Sequence, residues 1–252
     1  MFIDLHAHLD RCEDIEKAIE NATKNDVKII LASGIHPKSN RETIESSKKY
    51  DIVKAAIGLY PIDAFRTESH PDKYDVDIDD EINYIRENKD NIMAIGEIGL
   101  DYKNGKDVDS QKELFRRLLD LAVELNKPVI IHSRKAEAEV LDILEEYKDK
   151  LKIVNHCFSG KKKLVIRAKE MGCYFTIPTN VVRSEQFQHM IETVPLSQLF
   201  CETDTPYLSP FKDEWNEPAN VVESYKKIAE IKGMELEEVM RIIYNNWQKV
   251  FS

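Results

Sequence analysis

Apolar residues fall along this chain in two alternating patterns: short, nearly unbroken runs, and longer stretches in which they return every third or fourth position. The short runs predict strands over residues 1–5, 27–32, 53–59, 92–97, 128–132, 151–155, 173–177 and 199–202. The longer stretches predict helices between them. Over residues 110–126, Leu114, Leu118, Leu121 and Leu125 share one face, Ser110 and Glu113 form a capping-box pattern, and Pro128 follows where the next strand begins. Residues 137–147 and 217–231 behave in the same way, and a last amphipathic stretch, 236–250, has no strand after it. Strands that each lead into a helix predict a TIM-type (β/α)8 barrel with an extra C-terminal helix lying across it. An open doubly wound sheet is disfavoured because the first strand leads into His6-Ala7-His8 and not into a glycine-rich phosphate turn.

Composition narrows the setting. A chain of 252 residues, 42% of them hydrophobic, can bury one large core, and a single domain over residues 1–252 is expected. No apolar run is long enough to cross a bilayer. The sequence enters Met1-Phe2-Ile3-Asp4 without a basic segment and apolar leader, so a cytoplasmic protein without membrane partners is expected. Cys12, Cys157, Cys173 and Cys201 form no Cys-x-x-Cys pair, which argues against a disulfide framework or a thiolate zinc site. A net charge of -10 works against broad electrostatic capture of a polyanion, so an anionic substrate must be attracted locally.

The rare polar residues carry the chemistry, and they gather where the predicted strands end. His6 and His8 follow the first strand two residues apart, so their imidazoles point to one side and can grip one cation. Asp4 shares that parity and is placed to orient a ligand from behind. Glu97 closes an apolar run in which an unpaired carboxylate would be costly to bury, and its two oxygens suit a bridge between metals. His132 and His156 crown the fifth and sixth strands and supply an imidazole pair for a second ion. Asp204 follows the eighth strand, where it can hold a metal and orient or deprotonate water. The competing reading of Asp204, a cap for a helix started by Thr205-Pro206, is the weaker one.

At these residues the sequence resembles the TatD family of metal-dependent deoxyribonucleases, within the amidohydrolase-like group of barrels. The segments that carry the resemblance are Asp4-Leu5-His6-Ala7-His8-Leu9-Asp10, Gly96-Glu97-Ile98-Gly99-Leu100-Asp101-Tyr102, His132-Ser133-Arg134, His156-Cys157-Phe158-Ser159-Gly160, Glu202-Thr203-Asp204-Thr205-Pro206-Tyr207-Leu208 and Asn216-Glu217-Pro218, in the family's order. The resemblance implies two divalent cations and hydrolysis of phosphodiester bonds in DNA from the 3′ end by a metal-activated water. His6, His8 and Asp204 would hold one ion, His132 and His156 the other, and Glu97 would bridge them, with Glu97 and Asp204 as catalytic residues. Two positions depart from the family pattern: Tyr60 stands before Pro61 where a histidine is usual, and Glu214-Trp215 precedes Asn216 where a basic residue is common. The other His-Pro, His36-Pro37, is expected to be a solvated loop element.

Mixed imidazole and carboxylate donors suit zinc or manganese, while magnesium is less natural beside four imidazoles. Tyr60, Arg134 and the run Lys161-Lys162-Lys163 are the candidate DNA contacts, against which Asp63, Glu68, Asp101 and Glu214 in similar loops place negative charge. Two rival functions remain at this level: an amidohydrolase acting on an ester, amide or lactone with the same metals, and a metal-stabilised binding protein without turnover.

Overall fold

The computed structural model describes residues 1–62 and 76–252, so Asp63 and Glu68 lie outside the described residues. Eight parallel strands stand in sequence order: β1 (Phe2–Ala7), β2 (Val27–Gly34), β3 (Val53–Ile57), β4 (Ala94–Asp101), β5 (Val129–Arg134), β6 (Ile153–Asn155), β7 (Tyr174–Pro178) and β8 (Leu199–Glu202). The seam between β8 and β1 is closed just past the strands. There Ala7 bridges Thr205 in parallel, and Asp204 N donates to His6 O and His8 N to Thr205 O, each at 2.9 Å. The result is the expected TIM-type barrel.

Helices α1 (Ile15–Lys24), α2 (Pro37–Lys49), α3 (Ile78–Glu87), α4 (Val108–Leu125), α5 (Glu137–Leu144), α6 (Lys162–Glu170), α7 (Glu185–Thr193) and α8 (Val221–Lys232) connect the strands or follow the last one. Their apolar stripes are the faces that bury: in α4, Leu114, Phe115, Leu118 and Leu121 are all buried. The α4 start differs from the expectation. Asp107 is the N-cap, its carboxylate accepting from Ser110 N at 3.1 Å and from Ser110 Oγ at 2.7 Å, so Ser110 lies one turn inside. Similarly, α8 starts at Val221 because Pro218–Asn220 forms a 3-10 turn before it, and α5 ends at Leu144, short of Tyr147. The added terminal helix, α9 (Leu236–Phe251), packs on α8, β1 and β8. Trp247 and Phe251 stack at 4.3 Å, and Asn246 Nδ2 donates to the carbonyls of Leu196 and Leu199 at the entrance to β8.

Several strands run further toward their carboxyl ends than their apolar runs. β1 continues to Ala7, β2 to Gly34, β4 to Asp101 and β5 to Arg134. In β1, β2 and β5 the backbone ladder persists while the side chains turn polar or small, whereas in β4 buried Ile98 and Leu100 continue the apolar run past Glu97. In β4 this continuation depends on Gly99, at φ 151°, where a Cβ would run into the carbonyl oxygen of His132 on β5. Among the described residues no helix is long and apolar enough to cross a membrane.

Candidate metal centre

The extended carboxyl ends of β1, β4 and β5 and the segments after β6 and β8 deliver six side chains to one buried spot. His6 is fully buried in β1, His8 lies just past it, and their Nε2 atoms approach to 3.3 Å. Glu97 Oε2 stands 3.4 Å from His6 Nε2 and 3.5 Å from His8 Nε2. Asp204 Oδ1 stands 3.6 Å and 3.5 Å from the same two nitrogens. Donors bound at about 2.0–2.1 Å around a tetrahedral ion are separated by about 3.3–3.4 Å, so these near-equal edges are those of a set shaped for a cation. Asp204 does not cap a helix: its backbone is left-handed, φ 53°, and its N–H is tied to His6 O, which turns the carboxylate toward the histidines.

Glu97 lies within β4 and not at its end, where the register against β5 shifts between Ile95 and Ile98. Its second oxygen, Oε1, faces a second group of donors, His132 Nδ1 at 2.7 Å and His156 Nε2 at 3.6 Å. The approach of His132 Nδ1 is not aligned as a hydrogen bond, and that buried nitrogen has no other partner among the described residues. A cation fits such an orphaned donor. The two groups touch directly, since the His6 and His156 rings stack at 3.8 Å. His6, His8 and Glu97, and likewise Glu97, His132 and His156, are close enough to share an ion.

Behind each imidazole a polar group fixes which nitrogen faces the centre. His8 Nδ1 bonds Ser33 O and His6 Nδ1 bonds Ser33 Oγ, each at 3.1 Å, so one residue at the end of β2 orients both. His156 Nδ1 meets Glu202 Oε2 at 2.9 Å. His132 Nε2 lies 3.2 Å from the Tyr60 hydroxyl, which donates to Asp101 Oδ2 at 2.8 Å. Asp101 also accepts from Lys103 N, Asn104 N and Asn104 Nδ2, and it is a buried strand residue, not the loop acid expected. Asp4 is spent on Thr203, accepting from its N at 2.8 Å and from its Oγ1 at 2.5 Å.

Burial and crowding set the charges. Burial pushes Asp204 up to about 6 and Asp4 up to about 8. It also lowers His8, helped by the neighbouring His6, to about 3. Burial opposes the charge on His156 too, but Glu202 and Glu97 outweigh it and raise the imidazole to about 10. Burial likewise opposes ionisation of Glu97, which the facing imidazoles, His156 foremost, nevertheless hold well below the usual carboxylate range.

The centre opens into a cleft of about 810 Å³ whose lining includes Tyr60, Ser133, Ser159 and two arginines, Arg11 and Arg134. The Tyr60 hydroxyl hydrogen is already given to Asp101, which leaves its ring for contact with a ligand. Lys161, Lys162 and Lys163 stand exposed at the start of α6 and do not line the cleft. His36 is half-buried and caps α2, accepting from Ser39 N at 3.2 Å, so it is a structural residue and not merely solvated. Ser33 and Asp101 were not singled out as site residues from sequence. Asp101 had a signal, since it shares strand parity with Glu97; Ser33 had none beyond its place at the end of β2.

The match to a known family covers this whole scaffold: the TatD related DNase family matches residues 3–252. The chain belongs to the TatD family. It is 39% identical to an uncharacterised metal-dependent hydrolase of Methanocaldococcus jannaschii over 99% of this chain and 96% of that protein. It is 31% identical to the deoxyribonuclease TATDN3 of Homo sapiens over 99% of this chain and 94% of that one. Among solved structures, the TatD homologue YJJV of Escherichia coli K12 superposes with a TM-score of 0.87 at 25% identity, covering 99% of this chain and 97% of that one. This TatD-family chain is therefore an enzyme, a metal-dependent hydrolase.

Proposed function

We propose that this TatD-family hydrolase cleaves phosphodiester bonds in DNA, working from the 3′ end, with two divalent cations held around Glu97. The observation that carries the reading is the division of Glu97 between two donor groups, Oε2 toward His6 and His8 and Oε1 toward His132 and His156. His6, His8 and Asp204 would hold one ion and His132 and His156 the other, with Glu97 shared between the two groups. Such a pair of ions supplies an activated water and neutralises charge developing on the phosphoryl oxygens. Mixed nitrogen and oxygen donors favour zinc or manganese over magnesium.

The protein's own part is orientation and charge. Ser33, Glu202 and the Tyr60–Asp101 pair hold the four imidazoles with the correct nitrogen inward. Asp204, raised to about 6, is ionised at neutral pH yet basic enough to take a proton from attacking water. Arg134 lines the cleft and would receive a non-bridging phosphate oxygen, while Lys161–Lys163 offer a more distant phosphate track outside it. The printed name of the human relative, a deoxyribonuclease, supports DNA as the substrate class. Four free cysteines agree with a reducing, cytoplasmic setting.

The test is hydrolysis of end-labelled single- and double-stranded DNA, RNA, a small phosphodiester and an acyl ester by protein loaded in turn with zinc, manganese and magnesium. DNA shortened from its 3′ end, with two ions per chain by elemental analysis, is the expected result. Turnover of the ester or a lactone alone would replace this reading with an amidohydrolase one, and cleavage from the 5′ end would overturn the polarity.

A further inference from the structure

Beside the metal cleft lies a second groove, of about 760 Å³, that the proposed chemistry does not use. Among the described residues four large apolar side chains are exposed, and three of them, Tyr207 at 42%, Phe211 at 48% and Trp215 at 72%, line this groove on one loop after β8. Clustered exposed apolar surface on a chain that otherwise buries it marks an interaction site. The Tyr207 and Trp215 rings lie 6.5 Å apart.

The groove is continuous with the catalytic centre. Arg11 and Tyr207 line both cavities, and Arg11 Nη1 donates to the Tyr207 hydroxyl at 2.7 Å. Each is tied to a metal-donor residue: Arg11 N donates to His8 O at 3.1 Å and Tyr207 N to Asp204 O at 2.8 Å. The loop is also fixed. Asn216 Nδ2 donates to Thr203 O and Thr179 Oγ1, Asn216 N to Pro206 O, and Arg183 Nη1 to Pro210 O. A loop anchored at these points, with the Tyr207 ring tied to Arg11, loses less freedom on binding a ligand than an unanchored one.

The lining chemistry selects the occupant. Glu13, Asp14, Glu214 and Glu217 outnumber Arg11 and Lys17, so the lining of the groove repels phosphates. Asp14 is engaged as the cap of α1 and Glu217 accepts from Asn21, which leaves Glu13 and Glu214 beside the aromatic faces to accept from the exocyclic amines of nucleobases whose rings stack there. Only unpaired bases present those faces.

We propose that this groove is a stacking platform for unpaired bases of single-stranded DNA, with Trp215 and Phe211 gripping the strand next to the bond held in the metal cleft. The proposal rests on the DNA reading above and deepens it to a single-stranded substrate. Trp215 is one of two tryptophans, and the other, Trp247, is buried in α9, so the part of the emission lost in Trp215→Ala reports the platform.

The experiment titrates the full chain, stripped of metal with a chelator so that nothing is cut, with a single-stranded oligonucleotide, the same strand carrying abasic sites, and a blunt duplex. Tryptophan emission is followed in the native chain and in Trp215→Ala. With metal restored, KM and kcat are measured for the oligonucleotide and for bis(p-nitrophenyl) phosphate, which is too small to span both cavities. The expected result is quenching by the normal single strand alone, lost in Trp215→Ala. That variant should also show a KM for the oligonucleotide raised between about 5- and 150-fold, the range for one lost base–aromatic stack. Its turnover of the small diester should stay unchanged, since Trp215 and Phe211 do not line the metal cleft. Equal quenching by the abasic strand would overturn base stacking, and DNA cleavage with an unchanged KM in Trp215→Ala would overturn the platform while leaving the DNA reading intact. Emission changes that follow protein concentration without DNA, with dimers in sedimentation, would assign the groove to a second copy of the chain. Absence of all nucleic-acid binding and cleavage would overturn both.

Discussion

The two donor groups that share Glu97 differ in how nearly they are finished. On the Glu97 Oε2 side, His6 and His8 lie 3.3 Å apart and each stands 3.4 to 3.6 Å from Glu97 and from Asp204, separations that suit donors to one ion. Around Oε1 the group has contracted, with His132 Nδ1 at 2.7 Å and His156 Nε2 at 3.6 Å, and His156 carries a proton at neutral pH. Positive charge reaches Oε1 from the raised His156, whereas beside Oε2 burial and His6 keep the His8 imidazole neutral. A buried carboxylate needs positive charge on both sides, and the chain meets that need with geometry at one oxygen and with titration at the other.

The change expected to act most strongly removes the shared carboxylate. Glu97→Ala takes a donor from both groups, so activity should fall by more than the about 10²–10³-fold lost with a single charge-stabilising group. Bound metal should drop below one ion per chain, while circular dichroism stays native because the core is apolar. Two ions retained in that variant would break the bridging assignment.

The pH dependence of loading separates the two groups. A ligating imidazole must be neutral, so a histidine raised to about 10 binds metal only by releasing its proton. Affinity at the second site should therefore rise about tenfold per pH unit from pH 6.5 to 9. At the first site, His8 at about 3 is already neutral and Asp204 at about 6 is ionised over most of that interval, so these two add little slope above neutral pH, and Asp204 weakens binding as pH drops through 6. Calorimetry in buffers of different ionisation enthalpy measures the released protons. Two isotherms with the same pH slope would contradict the asymmetry.

Removing the group behind one imidazole should act on one site only. Glu202→Gln keeps the shape but takes the negative charge from His156, and partners of this kind are worth about 10–100-fold in metal affinity or activity. The second site should weaken by that factor with the first unchanged, and Ser33→Ala should do the reverse through His6 alone, since His8 meets the Ser33 backbone carbonyl, which the substitution keeps. Equal loss at both sites from either variant would mean the groups are not separable.

How far the sequence shows this arrangement follows from which physical signals are local. The six donors were legible because rare polar residues ended apolar runs in a repeating strand–helix order, and the barrel followed from that order. Ser33 was not, since a serine after a strand is commonplace and its partners are 27 and 25 residues away in the chain. Asp101 is misplaced by a strand that ends at the first charged residue, Glu97, whereas β4 continues through Ile98 and Leu100 as long as its backbone pairs with β5. The start of α4 was missed for a smaller reason: two side chains, Asp107 and Ser110, both suit a cap, and only the backbone geometry chooses between them.

The smallest effect is expected at Tyr60. For His132 to turn the Nδ1 lone pair toward Glu97 and a cation, its Nε2 must carry the hydrogen, and the Tyr60 oxygen at 3.2 Å is placed to accept it. The hydroxyl hydrogen in turn goes to Asp101, whose charge is secured by the Lys103 and Asn104 donors whether or not Tyr60 is present. Tyr60→Phe therefore deletes one link and leaves the ring and Asp101 in place. A neutral hydrogen bond contributes about 1 kcal/mol, so affinity for the second ion should fall only about fivefold, with KM for DNA unaltered. Tyr60→Ala deletes the ring as well, and a rise in KM confined to that variant would show that the ring face touches the substrate. If Tyr60→Phe binds the second ion as tightly as the native chain, Asp101 alone orients His132 across its 3.8 Å separation from Nε2, and Tyr60 serves the cleft only through its ring.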